Sequence, residues 1–491
     1  MTSFILAIDI GTTSTKGLAV ASDGTVLASF NKPYPTFYPS PGYAEQQPEE
    51  IFNAVVEVIQ TTLEKTGNSK ALLGLSFSCA MHSLMAVDKI GKPITPLIIW
   101  ADMRSTAQAD ALKLKTESRA IYEQSGTPIH PMSPLCKILW MKEEQPSLFS
   151  SAFKFISIKE YVFFRFFGEY KIDCSLASAT GLFDNNNLKW SQAALGAAGI
   201  DADKLSEPVS PYYNFTSLKP EMAALLNVDV TTPFVIGASD GCLANLGSGA
   251  MEEGDLSITI GTSGAVRMAS HGYRQDPRQR IFNYRLDEQQ FIVGGATNNG
   301  AVLLSWFAEN FEKVKSDARA FDMEAFSIPD TEGLLFLPYV LGERAPIYDP
   351  HAKGVFFGVG IQHKLAHFKR AILEGICFEI NSIVLAVEET VCPARYVIAS
   401  GGFTKSDGWV QLMADILGKT IEIDSKGDAS ALGAAMMGYK SLGVTYSTQK
   451  DSGTRVFKPD ERSHHQYRKK FTLFESLYKN LKANFIQLKD L

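Results

Sequence analysis

The first half of the chain alternates short apolar segments with turn residues and with stretches of helical periodicity. A Gly-Thr-Thr turn at 11–13 separates two apolar segments, and Asp23-Gly24 is a strong hairpin signal before a third. Apolar residues then recur at helical spacing over 49–65. The pattern predicts an α/β fold. The predicted elements are strands at 4–10, 16–21, 25–30, 72–77 and 233–238, and helices at 49–65 and 159–168.

A second beginning of the same kind lies near the middle of the chain. Residues 258–264 repeat the order of residues 8–14: an apolar strand, a Gly-Thr pair, a small hydroxyl residue and a further strand. The chain has 491 residues, and single cores stop growing at about 250–300 residues. We therefore expect two related α/β domains, at 1–248 and 249–491. The second would contain strands at 333–339 and 396–399, helices at 366–387 and after 401–402, and an amphipathic terminal helix from 461 on.

Composition and charge exclude several other classes of protein. Hydrophobic residues make up 45% and charged residues 20%, which is ordinary for a globular chain and excludes a disordered one. The formal net charge of -6 is spread over the whole length, so neither a nucleic acid nor an anionic membrane is an expected partner. The six cysteines are scattered without a CxxC pair, the N-terminus lacks a cationic leader, and no apolar run approaches a membrane span. We therefore expect a cytoplasmic protein.

The paired turns have the chemistry of phosphate sites. Turns of glycine and threonine between strands point several backbone N–H groups into one concavity, where glycine lets an anion approach closely. Two such turns, at 11–13 and 261–263, would hold a polyphosphate from both sides, and a P-loop is excluded because its GxxxxGK motif is absent. An ordinary hairpin is the alternative for 11–13. Asp9 favours the phosphate site, since a carboxylate in an apolar strand needs a partner such as the hydration shell of Mg²⁺.

Asp240 stands where an acceptor hydroxyl would be activated. It follows the apolar segment 233–238, and functional groups of α/β folds gather at the carboxyl ends of strands. Phosphoryl transfer to an alcohol needs a carboxylate that accepts the hydroxyl proton, and Asp240 suits that role. The alternative is a structural Asp-Gly turn or a helix N-cap.

Two further segments carry the polar groups of a polyol site. Met81 and His82 follow a predicted buried strand, and Trp100, Asp102 and Arg104 follow a short apolar segment. A ring face beside a carboxylate and a guanidinium offers the contacts that a polyol needs. A structural pair of Asp102 with Arg104 is the alternative for the second segment.

Longer segments resemble the FGGY carbohydrate kinases, a family with two actin-like, ribonuclease H-like ATPase domains and an active site in the cleft between them. The resemblance runs over nearly the whole chain. Residues 132–140 resemble the first signature of the family, and the stretch 354–374 fits the second in residue types and spacing. Residues 342–346 and 401–403 are further landmarks of the family.

The resemblance implies a role for each motif, with ATP and Mg²⁺ as cofactors. Asp9 would organise the Mg²⁺, and Asp240 would be the catalytic base that touches the acceptor. The residues expected to bind ATP are Gly11, Thr12, Thr13, Lys16, Gly261, Thr262, Ser263, Gly300, Gly402, Phe403 and Asp407. The residues expected to bind the sugar are Met81, His82, Trp100, Asp102, Arg104 and His130, together with Asp240.

Within the family, the segments 76–83, 126–132 and 158–161 resemble those of gluconate kinases. Xylulose kinases usually have a glutamine where this chain has Ala80 and a glycine where it has Ser83. The resemblance therefore implies transfer of the γ-phosphoryl group of Mg·ATP to the terminal hydroxyl of D-gluconate, giving gluconate 6-phosphate.

Several alternatives stay open. The carboxylate of a sugar acid could be met by His130, Lys159 or Arg104, and His130 has the further alternative of a satisfied interior histidine. A kinase for xylulose, another pentulose or a polyol is the nearest alternative function. A catalytically silent sugar-sensing protein is disfavoured because Asp9, Asp240 and both phosphate turns are present. A homodimer is the expected assembly.

Overall fold

The computed structural model describes residues 2–313, 318–423, 427–447 and 455–488. It confirms an α/β fold with one large sheet in each half. The strands of the first half are β1 Phe4–Ile10, β2 Ser14–Ala21, β3 Val26–Pro33, β4 Glu45–Gln46, β5 Leu72–Cys79, β6 Met85–Val87, β7 Leu97–Ile98, β8 Lys154–Ile156, β9 Lys171–Asp173, β10 Phe183–Asp184, β11 Lys189–Trp190, β12 Glu207–Val209, β13 Asn214–Phe215 and β14 Phe234–Ser239. Its α-helices are α1 Pro48–Thr66, α2 Thr106–Lys113, α3 Ser118–Ser125, α4 Pro134–Glu144, α5 Pro146–Ser151, α6 Ile158–Phe167, α7 Cys174–Ser178, α8 Gln192–Ala198, α9 Pro220–Leu226 and α10 Asp240–Ser248.

The second half continues the same alternation. Its strands are β15 Asp255–Ile260, β16 Gly264–Ser270, β17 Phe282–Arg285, β18 Phe291–Thr297, β19 Leu335–Leu337, β20 Val355–Phe357, β21 Tyr396–Ser400, β22 Ile421–Ile423 and β23 Val456–Phe457. Its α-helices are α11 Val302–Phe307, α12 Ala318–Ala325, α13 Leu365–Thr390, α14 Asp407–Leu417, α15 Ala429–Ser441 and α16 Glu461–Gln487. Single helical turns of other types lie at Ser69–Ala71, Ala202–Lys204, Ala308–Glu312 and Gly402–Lys405.

The predicted elements are present, with small shifts at their ends. α1 begins with Pro48, because a proline fits the first helical position, where its missing N–H costs nothing. It ends at Gly67, whose φ of 65° is the left-handed conformation of a helix C-cap. The strand expected at 333–339 is reduced to β19, which stops before Pro338 because proline has no N–H for a ladder.

The two large sheets repeat one strand arrangement. The first has the order β13-β14-β5-β1-β2-β3, and the second has the order β17-β18-β16-β15-β21-β22-β23. β1 pairs antiparallel with β2 and parallel with β5, and β15 pairs antiparallel with β16 and parallel with β21. The repeat seen in the sequence therefore folds into the same central unit twice.

β1 is buried on both faces, against different partners. Leu6 and Ile8 belong to a core shared with α1, whereas Ile5 and Ala7 belong to a core shared with α15. Side chains alternate between the faces of a strand. Asp9 therefore lies on the face that α15 covers.

α15 belongs to the second half by sequence but packs on the first sheet. Small residues permit this close approach. A Cβ at Gly438 would lie 2.9 Å from Ser76 Cβ on β5, and a Cβ at Gly433 would lie 3.0 Å from Leu243 Cα on α10. α10 and α15 thus cross in direct contact. A helix that the expected boundary near residue 248 assigns to the second domain therefore packs on the sheet of the first.

Two further findings concern the whole fold. Within the described ranges, no helix has both the length and the apolar character needed to cross a bilayer. All six cysteines are unpaired thiols, five of them buried. Packing and hydrogen bonding therefore stabilise the fold without disulfide bonds.

Candidate active site

The parallel strands of the first sheet bring polar side chains to one edge. β1, β5 and β14 run parallel, so their carboxyl ends lie together. Asp9 is next to last in β1, its register partner Ser78 is next to last in β5, and Asp240 directly follows β14. Thr12 of the first turn and Ser263 of the second line the same cavity as Asp240. One site is therefore built from both halves.

A cavity of about 230 Å³ lies between the halves. Four of its lining residues, Met81, His82, Trp100 and Asp240, are among those predicted to bind the acceptor. The other walls come from Thr12, Met132, Thr259, Ser263, Gly264, Ala265, Arg267, Phe282, Tyr284, Ala296, Arg344 and Tyr348.

The two carboxylate oxygens of Asp9 differ in their hydrogen bonding. Oδ2 accepts a hydrogen bond from the Ser430 hydroxyl at 2.6 Å, whereas the buried Oδ1 has no hydrogen-bond partner among the described residues. Burial raises the pKa of Asp9, while hydrogen bonding from Ser430 and the charge of Lys16 act in the opposite direction. A buried carboxylate oxygen without a partner is costly unless a cation or a donor fills the place.

This arrangement fits a hydrated Mg²⁺ better than a cation held wholly by the protein. In the part of the chain that the structure describes, no group of three or more His, Cys, Asp or Glu side chains could hold a metal ion. Mg²⁺ in phosphoryl-transfer sites is bound by one or two carboxylates, by water and by the substrate phosphates. Asp9 Oδ1, at the strand end that leads into the first turn, is the atom suited to that role.

The first turn is held from behind by side chains. The Gly11 N–H donates to the Ser14 carbonyl at 3.0 Å, and the Tyr34 hydroxyl donates to the Gly11 carbonyl at 2.6 Å. The Thr12 hydroxyl oxygen accepts a hydrogen bond from the indole N–H of Trp100 at 2.9 Å. Trp100 thus connects the first turn to the cavity wall.

Thr13 and Lys16 lie at the outer side of this turn. Thr13 is exposed, and its carbonyl accepts a hydrogen bond from the Tyr34 N–H at 3.1 Å. Lys16 stands opposite Asp9 in the β1–β2 ladder, and its ammonium group forms an ion pair with Asp428. Lys16 therefore bridges from the first half to the beginning of α15.

The second turn is held by backbone groups. The Gly261 N–H donates to the Ser263 carbonyl at 2.9 Å, and the N–H groups of residues 301 and 302 donate to the carbonyls of Gly261 and Thr262 at 2.8 and 3.2 Å. A Cβ at Gly300 would lie 2.7 Å from the Gly261 carbonyl oxygen. Gly300 therefore lies directly against the second turn, where a larger residue would displace it.

The two central strands differ at one position. Thr259 occupies in β15 the place that Asp9 has in β1. Its hydroxyl is hydrogen-bonded at 2.9 Å to Ser400, its register partner on β21, as Ser78 on β5 is the register partner of Asp9. The duplicated unit therefore carries the carboxylate in the first half alone.

The residues predicted around the nucleoside follow β21. Gly402 and Phe403 form a short helical turn after Gly401, whose φ of 96° brings the backbone against Ile260 beside the second turn. The Phe403 ring is 2% exposed and belongs to the core. The Asp407 side chain is 72% exposed and pairs with Arg455 at 2.5 Å.

His82 is held in an unusual conformation and is neutral. Its φ is 66°, a region that residues other than glycine seldom adopt. Its Nδ1 donates to the Ala179 carbonyl at 2.8 Å, and its Nε2 accepts from the Tyr284 hydroxyl at 3.3 Å. Burial, and next the charge of Lys137, lower the pKa of His82 to about 3. The Lys137 ammonium also donates to the His82 carbonyl at 2.5 Å, which fixes this loop.

Asp240 begins α10, so the cap position itself belongs to Ser239. Burial raises the pKa of Asp240 to about 6, the charge of Asp9 adds to the rise, and Arg267 opposes it. Lys159 donates to the carbonyls of Ile236 and Ala238 at 3.0 and 3.1 Å and so supports the strand end that presents Asp240.

Asp102 and Arg104, both predicted to bind the sugar, form an ion pair with each other. Asp102 Oδ2 accepts a hydrogen bond from the Ala44 N–H at 2.6 Å. The Arg104 guanidinium donates to the two Asp102 oxygens at 2.8 and 2.7 Å, and the Arg104 backbone N–H donates to Asp102 Oδ1 at 3.0 Å. Arg104 also pairs with Glu45 at 2.6 Å and covers the ring of Tyr43. Neither residue lines the cavity. They form the structural pair that was the alternative, because each satisfies the charge of the other.

His130 and Lys159, two further candidates for a substrate carboxylate, also lie outside the cavity wall. The Nδ1 of His130 accepts from the Met132 N–H at 3.2 Å, and burial holds the pKa of His130 well below its usual value, so the ring is neutral. Lys159 pairs with Asp173 at 2.7 Å. His130 is therefore an interior histidine behind the ring of Tyr348.

Two arginines of the cavity wall were not assigned to the site from the sequence: Arg267, and Arg344 of the family landmark at 342–346. Arg267 is a lone charge in the otherwise apolar strand β16, which is the same signal that drew attention to Asp9. On β16, Ala265 and Arg267 face the cavity, whereas Val266 belongs to the core of the second half. Arg344 lies over the ring of Trp100 at 4.7 Å from its centre. These two guanidinium groups give the cavity cationic character.

Both halves of the chain match the domains of one protein family. The N-terminal domain of the FGGY family of carbohydrate kinases matches residues 4–247, and the C-terminal domain of the same family matches residues 256–442. The chain belongs to this family. It is therefore a carbohydrate kinase, and ATP is its phosphoryl donor.

Curated relatives that match most of this chain include a gluconokinase and a xylulose kinase. The gluconokinase of Bacillus subtilis (strain 168) is 39% identical to this FGGY kinase over 505 residues, which cover 100% of this chain and 98% of the relative. The xylulose kinase of Staphylococcus xylosus is 28% identical over 89% of this chain and 90% of the relative.

Solved structures confirm the two actin-like kinase domains. A gluconate kinase from Lactobacillus acidophilus superposes with a TM-score of 0.91 at 31% identity, over 99% of this chain and 100% of the other. A ligand-bound xylulose kinase from the same organism also superposes with a TM-score of 0.91 at 31% identity, over 99% of this chain and 100% of the other. Plasmodium falciparum glycerol kinase with ADP, at a TM-score of 0.82 and 22% identity over 98% of this chain and 99% of the other, shares the fold.

Proposed function

We propose that the protein is a gluconate kinase, which transfers the γ-phosphoryl group of ATP to the terminal hydroxyl of D-gluconate and forms gluconate 6-phosphate. The observation that carries the proposal is the full-length identity of 39% to a gluconokinase, against 28% to the xylulose kinase of Staphylococcus xylosus and 31% to that of Lactobacillus acidophilus. The cationic wall formed by Arg267 and Arg344 supports it, because an acidic acceptor complements such a wall.

In this proposal Asp240 is the general base. With a pKa of about 6 it is ionised at neutral pH and still basic enough to accept a proton. As the acceptor oxygen attacks the γ-phosphorus, its proton passes to Asp240 and the bond between that phosphorus and the bridging oxygen of ADP breaks. The strand end that Lys159 supports would hold the carboxylate in place for this step.

The two turns would hold the phosphates of ATP from opposite sides. The backbone N–H groups of residues 12–13 and 262–263 would be the donors, since those of Gly11 and Gly261 are used within the turns, and Lys16 would add a positive charge beside the first turn. Mg²⁺, bound through water or directly to Asp9 Oδ1, would supply charge neutralisation on the phosphates. Asp9 would therefore fix the position of the metal and take no proton itself.

The remaining ATP contacts would surround the nucleoside. Gly300 and Gly402 would allow close approach, Phe403 would act through its backbone because its ring is buried, and Asp407 would lie at the exposed rim. The acceptor would lie on Trp100, with Met81 and the neutral His82 against its hydroxyl chain. Closure of the two domains, proposed at 1–248 and 249–491, would exclude water from the transfer.

The compartment follows from the same chemistry. An enzyme that consumes ATP and keeps six unpaired cysteines suits a reducing, ATP-rich compartment. We therefore propose the cytoplasm.

A panel of acceptors tests the function. ADP release from Mg·ATP is measured with D-gluconate, D-xylulose, other pentuloses and polyols, and we expect D-gluconate to have the highest kcat/KM. D-xylulose turned over while D-gluconate stays inert would replace the proposal with the xylulose kinase alternative, which the ligand-bound relative at 31% identity supports. No turnover with any acceptor would favour a sugar-sensing protein.

A further inference from the structure

Two arginines of the second half line the cavity, and neither is in ion-pair contact with a carboxylate of the described residues. Arg267 lies on β16, and Arg344 lies in the loop after β19. The Nε atom of each is buried and has no hydrogen-bond partner, and within the described residues neither guanidinium forms an ion pair with a carboxylate. An unpaired cation shielded from water is costly unless an anion accompanies it.

The two guanidinium groups differ in how far they are satisfied. Arg344 donates to the Thr297 carbonyl at 3.0 Å and lies over the Trp100 ring. The Arg267 guanidinium donates to no residue in the described ranges. All the donors of its planar fork are therefore available to a ligand.

The position of Arg267 is made possible by a glycine. A Cβ at Gly241, the residue after Asp240, would lie 3.2 Å from Arg267 Nε. The guanidinium therefore passes directly over the backbone of α10, close to the proposed base but without an ion pair to it. This places an unused cation within reach of whatever acceptor Asp240 serves.

The other candidate cations are already engaged. Arg104 pairs with Asp102 and Glu45, and Lys159 pairs with Asp173. Lys137 donates to three backbone carbonyls. In the proposed function the phosphate groups of ATP are bound by the two backbone turns. The Arg267 guanidinium is therefore available to bind the acceptor.

We propose that Arg267 binds the carboxylate of the acceptor and thereby selects sugar acids over neutral sugars. This inference rests on the proposed function and deepens it. A guanidinium matches a carboxylate with two parallel N–H···O hydrogen bonds, which a lysine or a neutral donor cannot reproduce. A neutral acceptor of the same length would leave the guanidinium unpaired inside a closed cavity, and a site of that kind discriminates strongly.

The test compares the variant Arg267→Met with the unaltered enzyme on three acceptors. These are D-gluconate, D-glucitol, which has a hydroxyl group in place of the carboxylate, and D-xylulose. We expect the ratio of kcat/KM for D-gluconate to that for the better neutral acceptor to fall on the order of 100-fold, mainly through KM. Arg267→Lys keeps the charge but loses the fork, and we expect it to restore only part of the ratio.

Arg285 offers a matched control. It lies on β17 of the same sheet, and its guanidinium donates to the carbonyls of Asn185, Asp287 and Glu288. Arg285→Met therefore removes an arginine with a structural role. We expect it to lower the thermal midpoint of unfolding while the selectivity ratio stays within a factor of about three.

The outcomes separate this inference from the proposed function. If the unaltered enzyme prefers D-xylulose, the proposed function and the inference both fail. If the unaltered enzyme prefers D-gluconate and Arg267→Met lowers kcat/KM by the same factor for all three acceptors, the function stands and the inference fails. Arg267 would then act on the phosphoryl group or on Asp240. Should Arg267→Met not fold, the Arg267→Lys ratio decides: a ratio equal to that of the unaltered enzyme overturns the inference.

Discussion

Asp9 and Asp240 stand at strand ends on the same edge of the first sheet, and burial raises the pKa of both. Asp9 is hydrogen-bonded by Ser430 and stands opposite Lys16, with one oxygen free. Asp240 accepts a hydrogen bond from the Gly241 N–H at 2.7 Å and faces the cavity. The environment of Asp9 is therefore suited to binding a cation, and that of Asp240 is suited to accepting the proton of an alcohol.

Removal of the base gives the first prediction. Asp240→Asn keeps the shape of the side chain but cannot accept the proton, so we expect kcat to fall by about 10²–10⁴-fold. ATP binding, measured by calorimetry, should stay within a few-fold of the original because the turns are untouched. Near-normal turnover would remove Asp240 from the role of base.

The pH dependence of the reaction gives the second prediction. A base works only when deprotonated, and the pKa of Asp240 is raised to about 6. We therefore expect kcat/KM for D-gluconate to fall about tenfold per pH unit below that value and to level off above it. Arg267 lowers the pKa of Asp240, so Arg267→Met should move this limb to higher pH. A flat profile measured from about pH 5 to 8 would contradict the assignment.

The metal site gives the third prediction. Asp9→Asn removes the charge that would hold Mg²⁺, so the Mg²⁺ concentration for half-maximal activity should rise on the order of 10–100-fold. Ser430→Ala is the matched control, because it removes a neighbour of Oδ2 and leaves Oδ1 and the charge in place. An unchanged Mg²⁺ titration of Asp9→Asn would rule out this role.

For single residues, the sequence shows which polar and charged side chains are present. It does not show which of them already have a hydrogen-bond or ion-pair partner in the fold. Asp102 and Arg104 are two positions apart and satisfy each other locally, so their polarity is no guide to the cavity. Arg267 could have been found, since a charge inside an apolar strand needs a partner whether it is acidic or basic. Arg344 belongs to a loop, where an arginine carries no such signal.

At the scale of elements, the paired turns were predictable because each is a local pattern of strand, glycine and hydroxyl residues. The same pattern recurs at 261–263 and folds alike. The place of α15 was not predictable in this way. Its contact with β5 and α10 depends on Gly433 and Gly438, and small residues indicate a close approach without naming the partner.

The crossing of α10 and α15 gives the fourth prediction. In Gly433→Ala the added methyl group would overlap the backbone carbonyl group of Leu243 on α10, so the helices must separate. We expect the free energy of unfolding to fall by about 1–3 kcal/mol, as measured by urea denaturation. Gly196→Ala on α8 is the matched control, since beyond its own helix backbone no atom of the described residues lies within 4 Å of its added Cβ. It should raise stability by up to about 1 kcal/mol, and a neutral Gly433→Ala would show that the crossing tolerates a wider spacing.

At the scale of the whole molecule, a duplicated unit serves two different purposes. Both central strands end in a Gly-Thr turn, but Asp9 stands in one where Thr259 stands in the other. Asp9, the acid proposed for the metal, and Asp240, the proposed base, both come from the first half. The second half contributes the second turn and the arginines of the cavity wall. Neither half therefore contains a complete site.

The position of α15 has a consequence for synthesis of the chain on the ribosome. The face of β1 and β2 that carries Ile5, Ala7, Leu18 and Val20 is covered by α15. Translation delivers that cover only after most of the 491 residues have emerged. Until residues 429–441 have been synthesised, one apolar face of the first sheet is therefore exposed to solvent. We expect the nascent N-terminal half to depend on chaperones during that time.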